Sequence, residues 1–278
     1  MLNLCIVGLG QMGGSLSLAL KKSSAPYRIT GIVKKDFVNT ALRLKIVDEV
    51  YPTLESARGA DIVVICTPVD TILPLYRRLC NIVNKSAIVT DVGSVKYLIE
   101  RRIKGFSVKR NAIPFIGVHP MVGREKSGIF SADASMFRNA NVIMVGSSKK
   151  LTKKEMLVAQ MWKYAGAKVI KMPARKHDEL VAFTSHLPHV IAFLLKKIYK
   201  RTKRKNSRVD VLVADSFKSA TRVAVSNPDV WVPIFELNSK NVEKYLIEFI
   251  KELSDFKQIL KNKQKIKKEI LNIQKKWK

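Results

Sequence analysis

The stretch LNLCIVGLGQMGGSLSLALKK, residues 2–22, decides the fold of the N-terminal part of this chain. An apolar run that predicts a strand ends in three glycines with the spacing GxGxxG, and a helical pattern follows. Glycines at this spacing permit a tight turn, close approach of the backbone to a pyrophosphate, and close packing of the helix on the strand. The free N–H groups at the start of the helix favour phosphate binding. We therefore predict a dinucleotide-binding turn whose contact residues are Gly8, Gly10, Gln11, Met12 and Gly13.

The end of the second predicted strand, RITGIV, indicates which dinucleotide is bound. NAD sites usually have an Asp or Glu there, which accepts a hydrogen bond from the ribose 2′-OH. Here Val33 occupies that position, and Lys34 and Lys35 follow it. Because lysines attract a 2′-phosphate that a carboxylate would repel, we predict NADP as the preferred cofactor and NAD as the alternative. Asp36 would serve the ribose of NAD if the turn is one or two residues longer.

The first half of the chain alternates apolar strand patterns with amphipathic helical patterns, which is typical of a parallel α/β sheet. A helix in NTALRLKI is predicted to end before a turn at DEVYP, and AKVIKM is the last predicted strand. The other predicted strands are DIVVICTPV, AIVTDVGS, FIGVHP and NVIMVG. After residue 172 the period is helical to the end. We therefore predict a Rossmann-type, mostly parallel sheet over residues 1–172 and an all-helical domain over residues 173–278.

The formal net charge of +29 is the unusual feature of the composition. Lysines are spread along the whole chain, although they are densest at 196–208 and in the tail from 251, so solvated helix faces are favoured over nucleic-acid binding. Association with polyanions or with a membrane surface is the less favoured alternative. No apolar run approaches the roughly 18 residues of a membrane span. The chain enters its first strand without a signal-peptide pattern, which makes the cytoplasm the expected location.

The spacing of the three cysteines and four histidines indicates which kinds of site they can form. The cysteines are widely separated and lack a CxxC motif, which argues against a zinc site or a disulfide framework. His119 lies in GVHPMVGREKSG, at the end of a predicted strand, where ligands bind in open α/β sheets. His186 and His189 share a helix face, and Pro188 between them should distort that helix. The HxxH spacing does not favour a metal site, so we predict a substrate site.

Several motifs, in order along both halves of the chain, resemble the prephenate/arogenate dehydrogenases of tyrosine biosynthesis. They are GLGQMGGSL, CTPV (66–69), TDVGSVK (90–96), GVHPMVGREKSG (117–128), HDELVAFTSHLPH (177–189) and FKSATRVAVSNPDVW (217–231). The resemblance implies a Rossmann domain followed by a helical domain that forms a homodimer. It also places Thr67, Pro68 and Val69 at the cofactor.

The activity implied by the resemblance is oxidative decarboxylation of prephenate or arogenate. His119 matches the family's catalytic base for the ring hydroxyl, and a neutral imidazole suits that role at neutral pH. Ser94 would orient His119 near the nicotinamide, and Arg222 would hold a substrate carboxylate with its planar fork. The remaining substrate-site residues implied by the resemblance are His177, His186, His189, Trp231 and the entrance residue Glu125.

One segment departs from the family pattern. Relatives usually have GGGFKDFTR where this chain has VADSFKSATR, so Ser219 replaces an aspartate beside Arg222. The choice between prephenate and arogenate is therefore left open.

Two other functions remain as alternatives. A β-hydroxyacid dehydrogenase-like reductase would need a catalytic lysine, for which Lys176 is the nearest candidate. A non-catalytic, NADP-binding protein associated with polyanions would account for the basic stretch at 196–208.

Overall fold

Six parallel strands form the central sheet of the N-terminal part. The computed structural model describes residues 1–107, 112–123, 128–148 and 150–275. The strands are β1 (Leu2–Val7), β2 (Tyr27–Ile32), β3 (Glu49–Tyr51), β4 (Ile62–Ile65), β5 (Ile88–Asp91) and β6 (Phe115–Ile116). Their spatial order is β3-β2-β1-β4-β5-β6, with every neighbouring pair parallel. The order reverses at β1, which is where ligands bind in doubly wound sheets.

Helices cover both faces of this sheet, which explains why its central strands are almost continuously apolar. Alternate residues of β1 pack into two separate cores: Leu4 and Ile6 on one face, Cys5 and Val7 on the other. The helices of this part are α1 (Gln11–Lys22), α2 (Val38–Arg43), α3 (Ile72–Leu79), α4 (Tyr97–Ser107) and α5 (Lys153–Tyr164). The expected α/β architecture is confirmed.

A second, smaller sheet corrects the sequence prediction for the later strands. It consists of β7 (Val118–Pro120), β8 (Asn141–Val145) and β9 (Lys168–Met172), with β7 antiparallel to β8. The predicted single strand FIGVHP is therefore two strands in two sheets. They separate at Gly117, whose carbonyl accepts from the N–H of Val145 and where a β-carbon would lie 2.7 Å from Val145 Cγ2.

The predicted turn at DEVYP is also wrong, because its residues form β3 beside β2. A strand of three residues, of which Val50 alone is buried, is too short to show a period of two.

The C-terminal part is helical throughout its described residues. Its helices are α6 (Ala174–Val181), α7 (Leu187–Lys205), α8 (Asp215–Thr221), α9 (Pro228–Leu237), α10 (Ser239–Ile259) and α11 (Lys263–Lys275). A π-helical turn, Ala182–His186, joins α6 to α7, and Pro188 lies in the first turn of α7. The irregularity predicted around Pro188 is present, and π turns of this kind occur often at functional sites. The division at residue 172 stays a prediction.

None of the helices in the described part of the chain is long and apolar enough to cross a membrane.

Candidate active site

A cavity of about 550 Å³ opens at the carboxyl ends of β1 and β2. Its lining includes the glycine turn, the end of β2, the loop after β3, and α3. The predicted cofactor residues that line it are Gly8, Gly10, Val33, Lys34 and Thr67. A pocket of this size at the switch point of the sheet fits a dinucleotide.

The three glycines of the turn have different physical reasons to be glycine. Gly8 has a φ of +95°, which other residues rarely adopt. A β-carbon on Gly13 would lie 2.0 Å from the carbonyl oxygen of Gly8, so only glycine lets the helix approach the strand this closely. A β-carbon on Gly10 would meet no atom of the described residues within 4 Å. The open space at Gly10 fits a phosphate group placed against the start of α1.

Six of the predicted cofactor residues are not part of the cavity wall. Gln11, Met12 and Gly13 belong to the turn and the first turn of α1, where Gly13 acts in packing. The others lie just beyond the lining segments and are Lys35, Pro68 and Val69. Lys34 is thus the one of the two predicted lysines that reaches the cavity.

Sequence reasoning missed other cavity residues, of which Phe37 and Arg78 are the most informative. Phe37 lies after β2 and is 46% exposed, and Arg78 lies near the end of α3. An exposed ring and a guanidinium suit a purine base and a phosphate. No motif marks them, because they reach the cavity only through the fold.

His119 lies in β7, directly beyond the carboxyl ends of β5 and β6. Asp91 at the end of β5 accepts the N–H of Val118 at 3.2 Å, which fixes the start of β7 against the parallel sheet. The side chain of His119 is half-buried. This placement fits a base acting beside a bound nicotinamide.

The imidazole of His119 contacts His177, and His177 contacts Asp178. Nδ1 of His119 lies 2.9 Å from Nε2 of His177, and Nδ1 of His177 lies 2.7 Å from Oδ1 of Asp178. His177 and Asp178 are both buried. The structure thus brings together two predicted site residues and adds Asp178, which was not predicted as a site residue.

A buried ion pair lies next to this chain of contacts. Lys96 donates from Nζ to Oδ2 of Asp91, and both side chains are almost fully enclosed. Burial lowers the pKa of Lys96 below its ordinary value, while the carboxylate of Asp91 works in the opposite direction. The pair lies beside the strand that carries His119, because Asp91 also accepts the N–H of Val118.

His186 is held by Asn238, a residue that sequence reasoning missed. Nδ2 of Asn238 lies 3.1 Å from Nδ1 of His186 and donates at 2.8 Å to the backbone oxygen of Asp178. Because the amide NH₂ donates, Nδ1 of His186 accepts and its proton is on Nε2. Asn238 joins two helices at one buried point, a contact that the sequence does not reveal.

His189 forms a flat aromatic wall with Trp231. The two rings are stacked, with centroids 3.5 Å apart and an interplanar angle of 24°. Trp231 also meets His186 edge-on at 5.8 Å and packs partly against one of the cores. Nδ1 of His189 lies 2.9 Å from the backbone oxygen of Ser185, so it donates and leaves Nε2 as an acceptor.

Burial keeps three of the histidines neutral. It lowers the pKa of His119 well below 6.5, and the nearby His177, Lys96 and His186 lower it further. Burial also lowers the pKa of His186 to about 4 and that of His189 to below its usual value. A neutral imidazole can accept a proton, so His119 is equipped as a base at neutral pH.

The remaining predicted site residues lie on different elements. Ser94 is half-buried in the loop between β5 and α4, next to Gly93. Arg222 begins a 3₁₀ turn, Arg222–Val225, that contacts α7, and Ser219 is exposed on α8. Glu125 lies outside the residues that the structure describes.

Two competing chemical interpretations find little support in the geometry. Lys176 is exposed on α6 and forms an ion pair with Glu179 at 3.1 Å, on the surface rather than in the site. Within the described ranges, His, Cys, Asp and Glu side chains form no group of three that could hold a metal ion.

Both halves of the chain match one protein family. Residues 16–171 match the domain described as "Prephenate dehydrogenase, nucleotide-binding domain", and residues 173–272 match "Prephenate dehydrogenase, dimerization domain". The prephenate dehydrogenase of Lactococcus lactis is 30% identical over 92% of this chain and 70% of its own length. The cyclohexadienyl dehydrogenase of Zymomonas mobilis is 31% identical over 90% of this chain and 86% of its own.

A solved structure agrees with these sequence matches over nearly the whole chain. The prephenate dehydrogenase from A. aeolicus, in complex with hydroxyphenyl propionate and NAD+, superposes with a TM-score of 0.85 and 32% identity. The match covers 99% of this chain and 96% of that one. The glycine turn, the histidine site and the helical second half therefore have one common explanation: the chain belongs to the prephenate/arogenate dehydrogenase family of dehydrogenases.

Proposed function

We propose that this chain oxidises and decarboxylates prephenate or arogenate, with His119 as the base. The observation that carries the proposal is the placement of His119. It has a neutral, half-buried imidazole beyond the ends of β5 and β6, and its Nδ1 is occupied by His177. This leaves Nε2 for the hydroxyl group of a substrate. The names of the relatives, prephenate and cyclohexadienyl dehydrogenase, support the substrate class.

The reaction requires three coordinated changes at the substrate ring. The hydroxyl at C4 gives its proton to Nε2 of His119, and the hydride leaves C4. The bound nicotinamide supplies the oxidising power by accepting that hydride. The bond from C1 to its carboxylate breaks with loss of CO₂, and its electrons complete the aromatic ring. His119 then returns the proton to the C4 oxygen, so no proton is gained or lost overall.

Arg222 and the stacked rings are the proposed substrate-binding groups. A guanidinium binds a carboxylate in a bidentate fork, so Arg222 would hold a carboxylate of the substrate. The wall of His189 and Trp231 offers a flat surface to a six-membered ring. Ser94 and Glu125 are proposed, from the family resemblance, to assist at the nicotinamide and at the entrance.

We propose NADP as the preferred cofactor, with NAD as the alternative. Lys34 and Arg78 both line the cavity, and Val33 occupies the position where NAD sites usually have an acid. A 2′-phosphate would gain two charge-assisted contacts there. The A. aeolicus relative is in complex with NAD+, so the two cofactors must be compared directly.

The helical part is proposed to form a homodimer. Its matched domain is described as a dimerization domain, and it exposes large apolar side chains. Those on the last two helices are Ile247, Ile250, Leu253, Phe256, Ile270, Leu271 and Ile273. A second copy of the chain would bury such side chains.

The decisive experiment is an assay of the purified protein with prephenate and with arogenate, each in the presence of NAD and of NADP. We expect reduced cofactor and CO₂ to form in equal amounts with at least one pair. Absence of turnover with all four pairs would remove the proposed activity.

A further inference from the structure

Asp178 accepts hydrogen bonds from two backbone N–H groups, those of Lys96 at 2.9 Å and Tyr97 at 2.8 Å. Both amides belong to the start of α4, so the carboxylate also caps this helix from another part of the chain. Its third partner is Nδ1 of His177 at 2.7 Å. A carboxylate only accepts, so His177 must carry its proton on Nδ1.

The position of the proton on His177 determines the position of the proton on His119. With a single proton, held on Nδ1 by the carboxylate, His177 has only a lone pair on Nε2. Nε2 lies 2.9 Å from Nδ1 of His119, which must therefore donate. A neutral His119 with its proton on Nδ1 presents an unprotonated Nε2 to the site. This tautomer can take a proton at Nε2, whereas the opposite tautomer cannot.

The groups around His119 are compatible with a proton on Nδ1 of both His119 and His177. The charged and titratable groups that act on His119 are His177, Lys96 and His186. Lys96 is a buried cation paired with Asp91, and Nδ1 of His186 accepts from Asn238. None of these groups supplies an acceptor that competes with His177 for the Nδ1 proton of His119. Asp178 is the carboxylate at the end of the series of contacts from His119 through His177.

We propose that Asp178 is a positioning residue that acts through His177 to set the tautomer of His119 and to stabilise its protonated form. The inference rests on the proposed function, in which Nε2 of His119 takes the substrate hydroxyl proton. While His119 holds that proton, its Nδ1–H bond to His177 becomes charge-assisted, and the positive charge is shared towards the Asp178 carboxylate. When the proton returns to the product oxygen, the three groups resume their original protonation.

The first test replaces Asp178 with Asn. Tyr97 donates to Oδ2 of Asp178, whereas Lys96 and Nδ1 of His177 share Oδ1. With the amide oxygen kept by Tyr97, the NH₂ group would take the Oδ1 position, lose the Lys96 contact and donate to Nδ1 of His177, which would reverse both histidine tautomers. An Asp-to-Asn change behind a catalytic histidine in a serine-protease triad costs about 10⁴-fold in kcat through the wrong tautomer. We expect a fall in kcat of about 10²–10⁴-fold, with the cofactor Kd little changed.

A direct readout separates this role from a merely structural one. The chain has only four histidines, so selective ¹⁵N-histidine labelling gives a simple NMR spectrum, in which His119→Asn assigns the His119 signals. Without substrate, the intact protein should show the His119 proton on Nδ1, and Asp178→Asn should move it to Nε2. The measurement needs no turnover, so it remains informative if the protein is inactive on prephenate and arogenate.

A second variant tests the same contact while leaving the Asp178 cap on α4 in place. His177→Asn leaves the Asp178 carboxylate and both of its backbone contacts in place but removes the acceptor for His119. It should lower kcat by at least 10-fold and mix the His119 tautomers. Glu179→Gln is the matched control, because the ion pairs of this neighbouring carboxylate within the described residues are with the surface lysines Lys176 and Lys244. The control should keep both kcat and tautomer.

Two results would overturn the inference. One is an intact protein whose His119 carries its proton on Nε2. The other is a folded His177→Asn variant with unchanged tautomer and unchanged kcat. If the intact protein shows no activity but has the expected tautomer, the assigned reaction fails while the tautomer assignment stands.

Discussion

Gly13 faces the carbonyl oxygen of Gly8 so closely that a β-carbon on Gly13 would lie 2.0 Å from that oxygen. Backbone atoms cannot yield as a flexible side chain can. The approach of α1 to β1 therefore depends on this glycine, independently of any ligand.

We expect Gly13→Ala to destabilise the protein by at least the 1–3 kcal/mol that is typical of overpacking, because helix and strand must separate. Cofactor affinity should fall with it, since the turn loses its shape. Thermal unfolding and cofactor titration measure the two effects.

Gly10→Ala is the matched comparison. Its β-carbon meets no atom in the part of the chain that the structure describes, so the loss of stability should stay below about 1 kcal/mol, the usual scale of a change at a helix N-cap. Its cofactor Kd should nevertheless rise at least 10-fold, because the methyl group enters the space assigned to the pyrophosphate. Equal cofactor affinity in Gly10→Ala and the unaltered protein would place the pyrophosphate elsewhere.

His119→Asn should lower kcat by about 10²–10⁴-fold, because the general base is lost. NADP binding should be retained, since His119 is not among the residues that line the cofactor cavity. Steady-state kinetics and fluorescence titration of the reduced cofactor would measure the two quantities. Undiminished turnover in this variant would remove His119 from the mechanism.

Lys34→Ala should raise the KM for NADP about 10-fold, which corresponds to a loss of roughly 1.4 kcal/mol of binding, and leave the KM for NAD almost unchanged. The reason is that only NADP carries the 2′-phosphate. Lys22→Ala, at the far end of α1, is the control for a general loss of positive charge. A similar effect of Lys34→Ala on both cofactors would contradict the predicted NADP preference.

Stability should fall on the acid side because of His186. Its pKa is lowered from 6.5 to about 4 by burial, so the unfolded chain binds more protons than the folded one within that window. The contribution of neutral His186 is present above about pH 6.5 and is lost as the pH falls towards 4. Denaturant unfolding at several pH values should show the loss, and His186→Gln should reduce its pH dependence.

The glycine turn and the strand and helix that flank it could be predicted, because they form a local sequence pattern. GxGxxG after an apolar run determines a strand, a turn and a helix within about twenty residues. His186 and His189 could be placed on one helix face for the same reason.

The contacts of the site could not be predicted, because they join distant parts of the chain. Asp178 binds an amide 82 positions earlier in the sequence, and Asn238 reaches His186 from 52 positions away. Arg78 and Phe37 line the same cavity because the fold brings α3 close to the segment after β2. The separation of FIGVHP at Gly117 could not be predicted, because two short consecutive strands have the same apolar pattern as one longer strand.

The cap that Asp178 provides has a consequence for how the molecule unfolds. Its carboxylate, from the first helix of the C-terminal part, closes the start of α4 in the nucleotide-binding part. Separation of the two parts would strip the α4 N-terminus of its acceptor and leave His119 without His177. Calorimetry should therefore record one cooperative transition rather than two, with His119 losing its contact to His177 at the same temperature at which the sheet unfolds.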